Sequence, residues 1–101
     1  MTTLRIAAYD VELRMVSPAN AARGEFVGRY DSAEQLIEIK KGLSEWVFVD
    51  VLIHEILHCL WYQTSLEVGD TEERIVSNLG NGLSQVIRDN PNLWDLWKTA
   101  K

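Results

Sequence analysis

Apolar and polar residues alternate along the N-terminal part of the chain, with the period of two that is typical of half-buried β-strands. In TLRIA (3–7), Leu4 and Ile6 alternate with polar or small residues, and DVELRMV (10–16) repeats the pattern. We therefore predict two strands. The next segment, SPANAARG (17–24), contains Pro, Asn and Gly, which commonly interrupt regular structure, and we predict a loop there.

A β-hairpin is predicted over residues 25–42, EFVGRYDSAEQLIEIKKG. Its turn lies at Asp31–Glu34, and its second strand covers Leu36–Ile39. The residues of its first strand that share one face are Phe26, Gly28 and Tyr30. A glycine inside a strand marks a bulge or a close approach of another segment, so we expect one of these two roles for Gly28.

The hydrophobic period changes to that of a helix after Ser44, which we predict to be the N-cap. The twenty residues EWVFVDVLIHEILHCLWYQT (45–64) contain neither Gly nor Pro. Apolar residues occupy both sides of this helix, so we predict that it is central and buried. One side carries Val49, Leu52, Ile53, Ile56 and Leu60, and the other carries Val47, Val51, His54, His58 and Trp61.

A second long helix is predicted over TEERIVSNLGNGLSQVIRDN (71–90), after the connector SLEVGD (65–70). Asp70 or Thr71 caps it, and Asn90-Pro91 ends it. Two glycines lower its intrinsic stability, and we expect them to allow another helix to approach closely. The apolar stripe of this helix consists of Val76, Leu79, Leu83, Val86 and Ile87. The final segment, NLWDLWKTAK (92–101), is predicted to be a short helix that packs through Leu93, Trp94 and Trp97.

The length of 101 residues fits one domain, and we take residues 1–101 as a single unit. Strands followed by two long helices indicate an α+β fold. We expect a small antiparallel sheet of three to four strands, packed on the central helix and the second long helix.

Net charge and residue usage restrict the classes of partner. The formal net charge is −5 and the sequence pI is about 4.9, so neither nucleic acid nor an anionic membrane is an expected partner. Cys59 is the only cysteine, which excludes an intramolecular disulfide. The N-terminus lacks the pattern of a signal peptide, and the longest apolar run is interrupted by charged residues and histidines. We therefore expect a cytoplasmic protein.

Both histidines of the chain lie on the predicted central helix, in the motif His54-Glu55-Ile56-Leu57-His58. Residues four apart lie on the same face of a helix, so the two imidazoles can bind one metal ion. Zn²⁺ accepts histidine nitrogens, and a catalytic zinc keeps one coordination position for water. Glu55, one step around the helix from His54, is placed to accept a proton from that water. The competing interpretation is two hydrogen-bonded core histidines beside an exposed glutamate.

A third protein ligand has to be a carboxylate, because no histidine remains. Glu73 lies on the small-residue face of the second helix (Ser77, Gly80 and Ser84), which we expect to pack against the His-Glu helix. Glu72 points towards the apolar stripe instead, so Glu73 is preferred and Glu72 is the alternative. Glu67 and Asp70 in the connector are weaker candidates.

Other polar residues near the motif have two interpretations each. Asp50 precedes His54 by one turn, and it is either a partner that orients an imidazole or a solvated flanking charge. Cys59 is expected to be a buried thiol without a chemical role. A tyrosine hydroxyl is a further candidate for stabilising an oxyanion, and the sequence does not choose among Tyr9, Tyr30 and Tyr62.

The segments VLIHEILHCLW (51–61) and EERIVSNLGNGLSQVIRDNP (72–91) resemble small zinc-metallopeptidase-like proteins of phages and prophages. They are similar to the catalytic part of the ImmA/IrrE-type metallopeptidases, over residues 24–92. The resemblance implies a minimal zincin-like core of the gluzincin type, in an intracellular protein that acts in the host cytoplasm if it is phage-encoded. It also implies that His54 and His58 bind zinc, that Glu55 is the catalytic base and that Glu73 is the third ligand. Larger relatives carry further domains for substrate recognition or DNA binding.

The sequence therefore predicts a zinc-dependent peptidase-like hydrolase that cleaves a peptide bond by means of a metal-bound water activated by Glu55. If Leu36–Ile39 is a sheet edge, that strand holds an extended peptide substrate by strand addition. The alternative is a non-catalytic, metal-stabilised binding module, such as a phage accessory protein that acts on a host partner.

Overall fold

The computed structural model describes residues 2–64 and 70–92 and, in that part of the chain, shows an α+β fold with one mixed sheet and three helices. The elements are β1 (Thr2–Ile6), β2 (Tyr9–Val16), α1 (Pro18–Arg23), β3 (Gly28–Asp31), β4 (Leu36–Lys40), α2 (Glu45–Thr64) and α3 (Asp70–Asp89). The two strands predicted first and both long helices are confirmed with small shifts in their ends. Ser44 is confirmed at the start of α2, where its carbonyl accepts the first helical hydrogen bond, from the Phe48 amide at 2.8 Å.

The sheet has the strand order β1-β2-β4-β3. Its outer pairs are antiparallel, but β2 and β4 are parallel, with Leu13 opposite Ile37. The prediction of an antiparallel sheet is therefore wrong for the middle pair. The physical reason is the connection from β2 to β3. The chain leaves β2 through α1 and forms β3 at the far edge of the sheet, and the β3–β4 hairpin then places β4 beside β2 in the same direction.

Strand β4 lies inside the sheet, paired with β2 on one side and β3 on the other. The hypothesis that Leu36–Ile39 is a free edge is therefore wrong. The edge beside β4 belongs to β3, which begins at Gly28, so Phe26 precedes the strand instead of belonging to it. The predicted turn is confirmed, since the Asp31 carboxylate accepts hydrogen bonds from the amides of Ala33 (2.9 Å) and Glu34 (3.2 Å).

Residues 18–23 form helix α1, so the prediction of a loop over 17–24 is wrong. The same residues that suggested a loop are the start signals of a short helix. The Ser17 hydroxyl accepts a hydrogen bond from the Asn20 amide at 3.2 Å, and Pro18 occupies the first helical turn, where its missing N–H has no cost.

The core lies between one face of the sheet and α2. Its fully or nearly fully buried members are Ile6, Val11, Ile37, Ile39 and Cys59. Helix α2 also packs against α3 on another side, which explains why apolar residues surround it. The predicted central position is therefore confirmed, but the helix is only partly buried, with Trp46 and Val47 40% and 44% exposed.

Helix α3 packs on α2 through its small residues, as predicted, but the close approach expected at both glycines occurs only at Gly80, since a Cβ atom built on Gly82 would have nothing within 4 Å. A Cβ atom built on Gly80 would lie 3.7 Å from the Leu57 Cδ1 atom and 3.8 Å from the His54 Cα atom, and Ser84 is buried. The apolar stripe of α3 is only partly covered, because Val76 is buried while Leu79, Leu83 and Val86 are 55%, 44% and 47% exposed. The predicted terminal helix, with Trp94 and Trp97, lies outside the described residues.

Candidate metal centre

The two histidines of α2 converge as their spacing predicts. The Nε2 atoms of His54 and His58 lie 3.1 Å apart, and both rings are partly buried between α2, β3 and α3. Such a separation brings two acceptor nitrogens to the same small volume, which is unfavourable unless a proton or a metal ion lies between them.

Helix α3 brings the Glu73 carboxylate to the same point. Its Oε1 atom lies 3.0 Å from the His54 Nε2 atom, and its Oε2 atom lies 3.0 Å from the His58 Nε2 atom. Two ligand atoms bound to one tetrahedral Zn²⁺ at 2.0–2.1 Å are roughly 3.3 Å apart. One ligand atom from each of these three residues lies within 4.8 Å of the others. The donor set of two imidazoles and one carboxylate therefore fits a metal ion.

The preceding residue, Glu72, reaches the opposite side of the His58 ring. Its Oε2 atom lies 2.6 Å from the His58 Nδ1 atom. Adjacent residues on a helix point about 100° apart, so the two glutamates approach one imidazole from different directions. Helical periodicity predicted that Glu72 points towards the apolar stripe of α3, and it did not predict the contact between Glu72 and His58.

Glu55 lies beside the cluster and is 7% exposed. Burial raises the pKa of its carboxyl from 4.5 to about 7, and the Glu73 carboxylate adds to this rise. His58 and the Tyr30 backbone N–H, which hydrogen-bonds the carboxylate, act in the opposite direction on this pKa. Glu55 is therefore balanced between its neutral and ionised forms near neutral pH.

Strand β3 can approach Glu55 because residue 28 has no side chain. A Cβ atom on Gly28 would lie 2.3 Å from the Val51 Cγ1 atom and 3.5 Å from the Glu55 Cγ and Oε2 atoms. Of the two roles predicted for Gly28, the close approach is the one that the structure shows.

A cavity of about 480 Å³ opens over the cluster, which is within the range of small-ligand sites. Its floor is α2, one wall is β3 and the other is the start of α3. The lining residues are Gly28, Arg29, Tyr30, Ser32, His54, Glu55, His58, Tyr62, Glu72 and Glu73.

Two of the three tyrosines line this cavity, and Tyr9 does not. The Tyr30 hydroxyl donates to the Gln35 side-chain oxygen at 3.2 Å, and burial raises the pKa of this hydroxyl. Tyr62 lies one turn after His58, is half exposed and contacts the Tyr30 ring edge-on. Tyr62 is therefore the tyrosine that can donate to a molecule in the cavity.

The remaining candidates are not part of the group of two histidines and one glutamate, or their side chains are not described. The Asp50 carboxylate is 3.6 Å from the Arg88 guanidinium, whereas the carboxylate that contacts the His58 Nδ1 atom belongs to Glu72. Cys59 is fully buried, as predicted. Glu67 and the Asp70 side chain are among those that the structure does not describe.

No helix in the described ranges 2–64 and 70–92 is long and apolar enough to span a membrane. Comparisons of the chain with protein-family models, with curated proteins and with solved structures give no match.

Proposed function

We propose that this protein is a zinc-dependent, peptidase-like hydrolase with a minimal zincin-like arrangement, as the resemblance of its motifs to the ImmA/IrrE-type metallopeptidases implies. The observation that carries the proposal is the convergence of His54, His58 and Glu73 within hydrogen-bond distance, with the buried Glu55 beside them. The spacing of four residues on α2 explains why the two histidines lie close together. It does not explain the position of the Glu73 carboxylate, which belongs to the separate helix α3.

His54 and His58 supply neutral nitrogen donors and Glu73 supplies an oxygen donor, which is the set that catalytic zinc sites use. A bound Zn²⁺ ion would act as a Lewis acid and lower the pKa of water to about 7. The partial exposure of the cluster gives solvent and substrate access to it.

Glu55 is the general base in this proposal. Its carboxylate accepts a proton from water as the water oxygen attacks the peptide carbonyl carbon. The same group then donates that proton to the leaving nitrogen as the C–N bond breaks. The raised pKa of Glu55 belongs to the metal-free protein, and a nearby Zn²⁺ ion would lower it towards the ionised form that a general base needs.

An extended peptide is the substrate that the surroundings of the site support. Strand β3 is a sheet edge and lines the cavity through Gly28, Arg29 and Tyr30. An edge strand can add a peptide as a further strand, with main-chain hydrogen bonds that do not depend on the side chains of the peptide. Strand addition is therefore proposed at β3, one strand further out than the sequence suggested.

A metal-stabilised binding module without turnover is the second candidate. The exposure of Glu73, whose side chain is 58% accessible, favours it, because a catalytic site usually excludes more water from its ligands. In that case the metal joins α2 to α3 and the cavity binds a partner segment.

The test uses the purified full chain with one equivalent of zinc and a peptide library read by mass spectrometry. Wild type is expected to hold one zinc ion and to cleave peptides, while Glu55→Gln keeps the zinc and loses hydrolysis by about 10²–10⁴-fold. Glu34→Gln, a change in the exposed β3–β4 turn, is the matched control and should retain full activity. Equal activity of Glu55→Gln, or no zinc in wild type, would overturn the proposal. Bound zinc with no cleaved peptide would favour the binding module.

A further inference from the structure

We infer that Glu72 is the positioning residue of the metal centre and holds His58 in the tautomer that presents Nε2 to the metal. The inference rests on the metal site of the proposed function but not on turnover. It assigns different roles to two adjacent glutamates, of which Glu73 is the ligand and Glu72 acts through His58.

The contact between Glu72 and His58 is short and shielded. The Glu72 Oε2 atom and the His58 Nδ1 atom are 2.6 Å apart, and each side chain is only 17% exposed. A hydrogen bond to an ionised carboxylate is shorter and stronger than one between neutral groups, and low exposure strengthens it further. Glu73 is 58% exposed by the same measure, so the two neighbours lie in different surroundings.

The two nitrogens of His58 consequently have different partners. Nδ1 faces Glu72, whereas Nε2 faces Glu73 and the His54 ring. A neutral imidazole carries one N–H, and an ionised carboxylate only accepts hydrogen bonds. Both glutamates can only accept, so a neutral His58 donates to one of them. The shielded 2.6 Å contact with Glu72 is favoured over the 3.0 Å contact with the exposed Glu73, which places the proton on Nδ1 and leaves the lone pair of Nε2 for the metal ion.

Helix geometry explains why Glu72 and Glu73, which are adjacent in sequence, reach different edges of the His58 ring. Glu73 approaches the Nε2 edge of the His58 ring, and a residue one step earlier on α3 reaches the Nδ1 edge of the same ring. Helix α3 is held in this register by Gly80, which lies against His54 and Leu57. The imidazole is therefore fixed between two carboxylates before a metal binds.

Removing such an outer carboxylate typically weakens metal binding by 10–100-fold, whereas removing a ligand costs more. We expect Glu72→Gln to bind zinc 10–100-fold more weakly than wild type with the same stoichiometry. Glu73→Gln should weaken zinc binding further, and Glu34→Gln should not change it. Chelator competition measures all four affinities.

Long-range ¹H–¹⁵N NMR of the metal-free full chain provides a readout that a merely structural role would not change. Wild-type His58 is expected to show only the Nδ1–H tautomer at pH 8, while Glu72→Gln and Glu72→Leu show a mixture of both tautomers. Glu72→Asp, which keeps the charge, should recover part of the wild-type zinc affinity and tautomer preference. Circular dichroism confirms that each variant is folded.

Three results would overturn the inference. The first is an unchanged His58 tautomer in both Glu72→Gln and Glu72→Leu. The second is an unchanged zinc affinity in those two variants. The third is a loss of zinc affinity in Glu72→Gln as large as that in Glu73→Gln, which would make Glu72 a ligand. Failure of the proposed function gives a different result, since wild type would then bind no zinc or cleave no peptide while the NMR measurement still reports the tautomer.

Discussion

At the scale of single residues, the chemistry of the site depends on where carboxyl groups lie relative to solvent. Glu55 is buried and its pKa is raised to about 7, whereas Glu73 is largely exposed. In the proposed function, the same type of side chain therefore serves as a proton acceptor at position 55 and as a metal ligand at position 73. Local burial, and not residue type, separates the two roles.

Burial of Glu55 has a consequence for the stability of the metal-free protein. In the unfolded chain this carboxyl loses its proton near pH 4.5, but in the folded protein it keeps the proton up to about pH 7. Between these values the folded state binds more protons, so the free energy of unfolding falls as pH rises. Below about pH 4.5 the group has no such effect.

We predict that Glu55→Gln removes this pH dependence. Between pH 5 and pH 8, the unfolding free energy of wild type should fall by about 2–3 kcal/mol more than that of the variant. Urea unfolding measures the difference, with EDTA present so that both proteins are free of metal. Parallel pH profiles for wild type and variant would contradict the prediction.

At the scale of elements, the geometry of the site depends on two elements that lie very close to α2. Strand β3 reaches α2 at Gly28, and helix α3 reaches it at Gly80. The two approaches differ in how tight they are, since a Cβ atom would overlap Val51 at position 28 but make ordinary contacts at position 80. Position 28 is therefore the more restrictive of the two.

Gly28→Ala is expected to move β3 away from α2 and to reduce the burial of Glu55 beneath the strand. The added methyl group would lie 2.3 Å from Val51, whose branched side chain has few alternative rotamers. We predict a loss of about 1–3 kcal/mol in unfolding free energy, together with reduced hydrolysis. Chemical denaturation and the peptide assay measure these two effects.

The matched control is Gly82→Ala on α3, where a Cβ atom has nothing within 4 Å. This change should stabilise the protein by up to about 1 kcal/mol, because alanine favours the helix, and it should leave zinc binding unchanged. A Gly28→Ala protein as stable and active as wild type would show that β3 does not need its close approach.

At the scale of the whole molecule, the candidate metal ligands join elements that are distant in sequence. Two ligands belong to α2, and the third belongs to α3, beyond a connector. Helix α3 buries mainly small residues against α2 and leaves Leu79, Leu83 and Val86 largely exposed. Packing alone therefore gives α3 little apolar burial in the described part of the chain, and a bound cation would strengthen its attachment.

Zinc is therefore expected to stabilise the folded protein. Free zinc at 100 times its dissociation constant should raise the unfolding free energy by about 2.7 kcal/mol, and EDTA should reverse this gain. His58→Ala should lose most of the gain at the same zinc concentration, while Glu34→Gln should retain it. Thermal denaturation with and without zinc gives the comparison, and an equal shift in all three proteins would indicate non-specific binding.

The sequence by itself determined those features that depend on neighbours along the chain. The start of α2 after Ser44, the placement of both imidazoles on one face and the position of Glu55 beside His54 follow from helical geometry over a few residues. The small-residue face of α3 was also predictable, since helical periodicity shows which residues share a face even when the element that packs against it is not known. The misassigned helix α1 shows the limit of such patterns, because Ser-Pro-Ala begins a loop or a helix equally well.

Only the tertiary structure decided what depends on the packing of distant segments. It placed β4 inside the sheet and β3 at its edge, since strand order follows from the crossover and not from any single strand. It also brought Glu72 and Glu73 to opposite edges of one imidazole, where a rotation of α3 by one residue would put Glu72 in the place of Glu73 and Thr71 in the place of Glu72. The raised pKa of Glu55 has the same origin, because the loss of solvent around a carboxyl group depends on every segment that covers it.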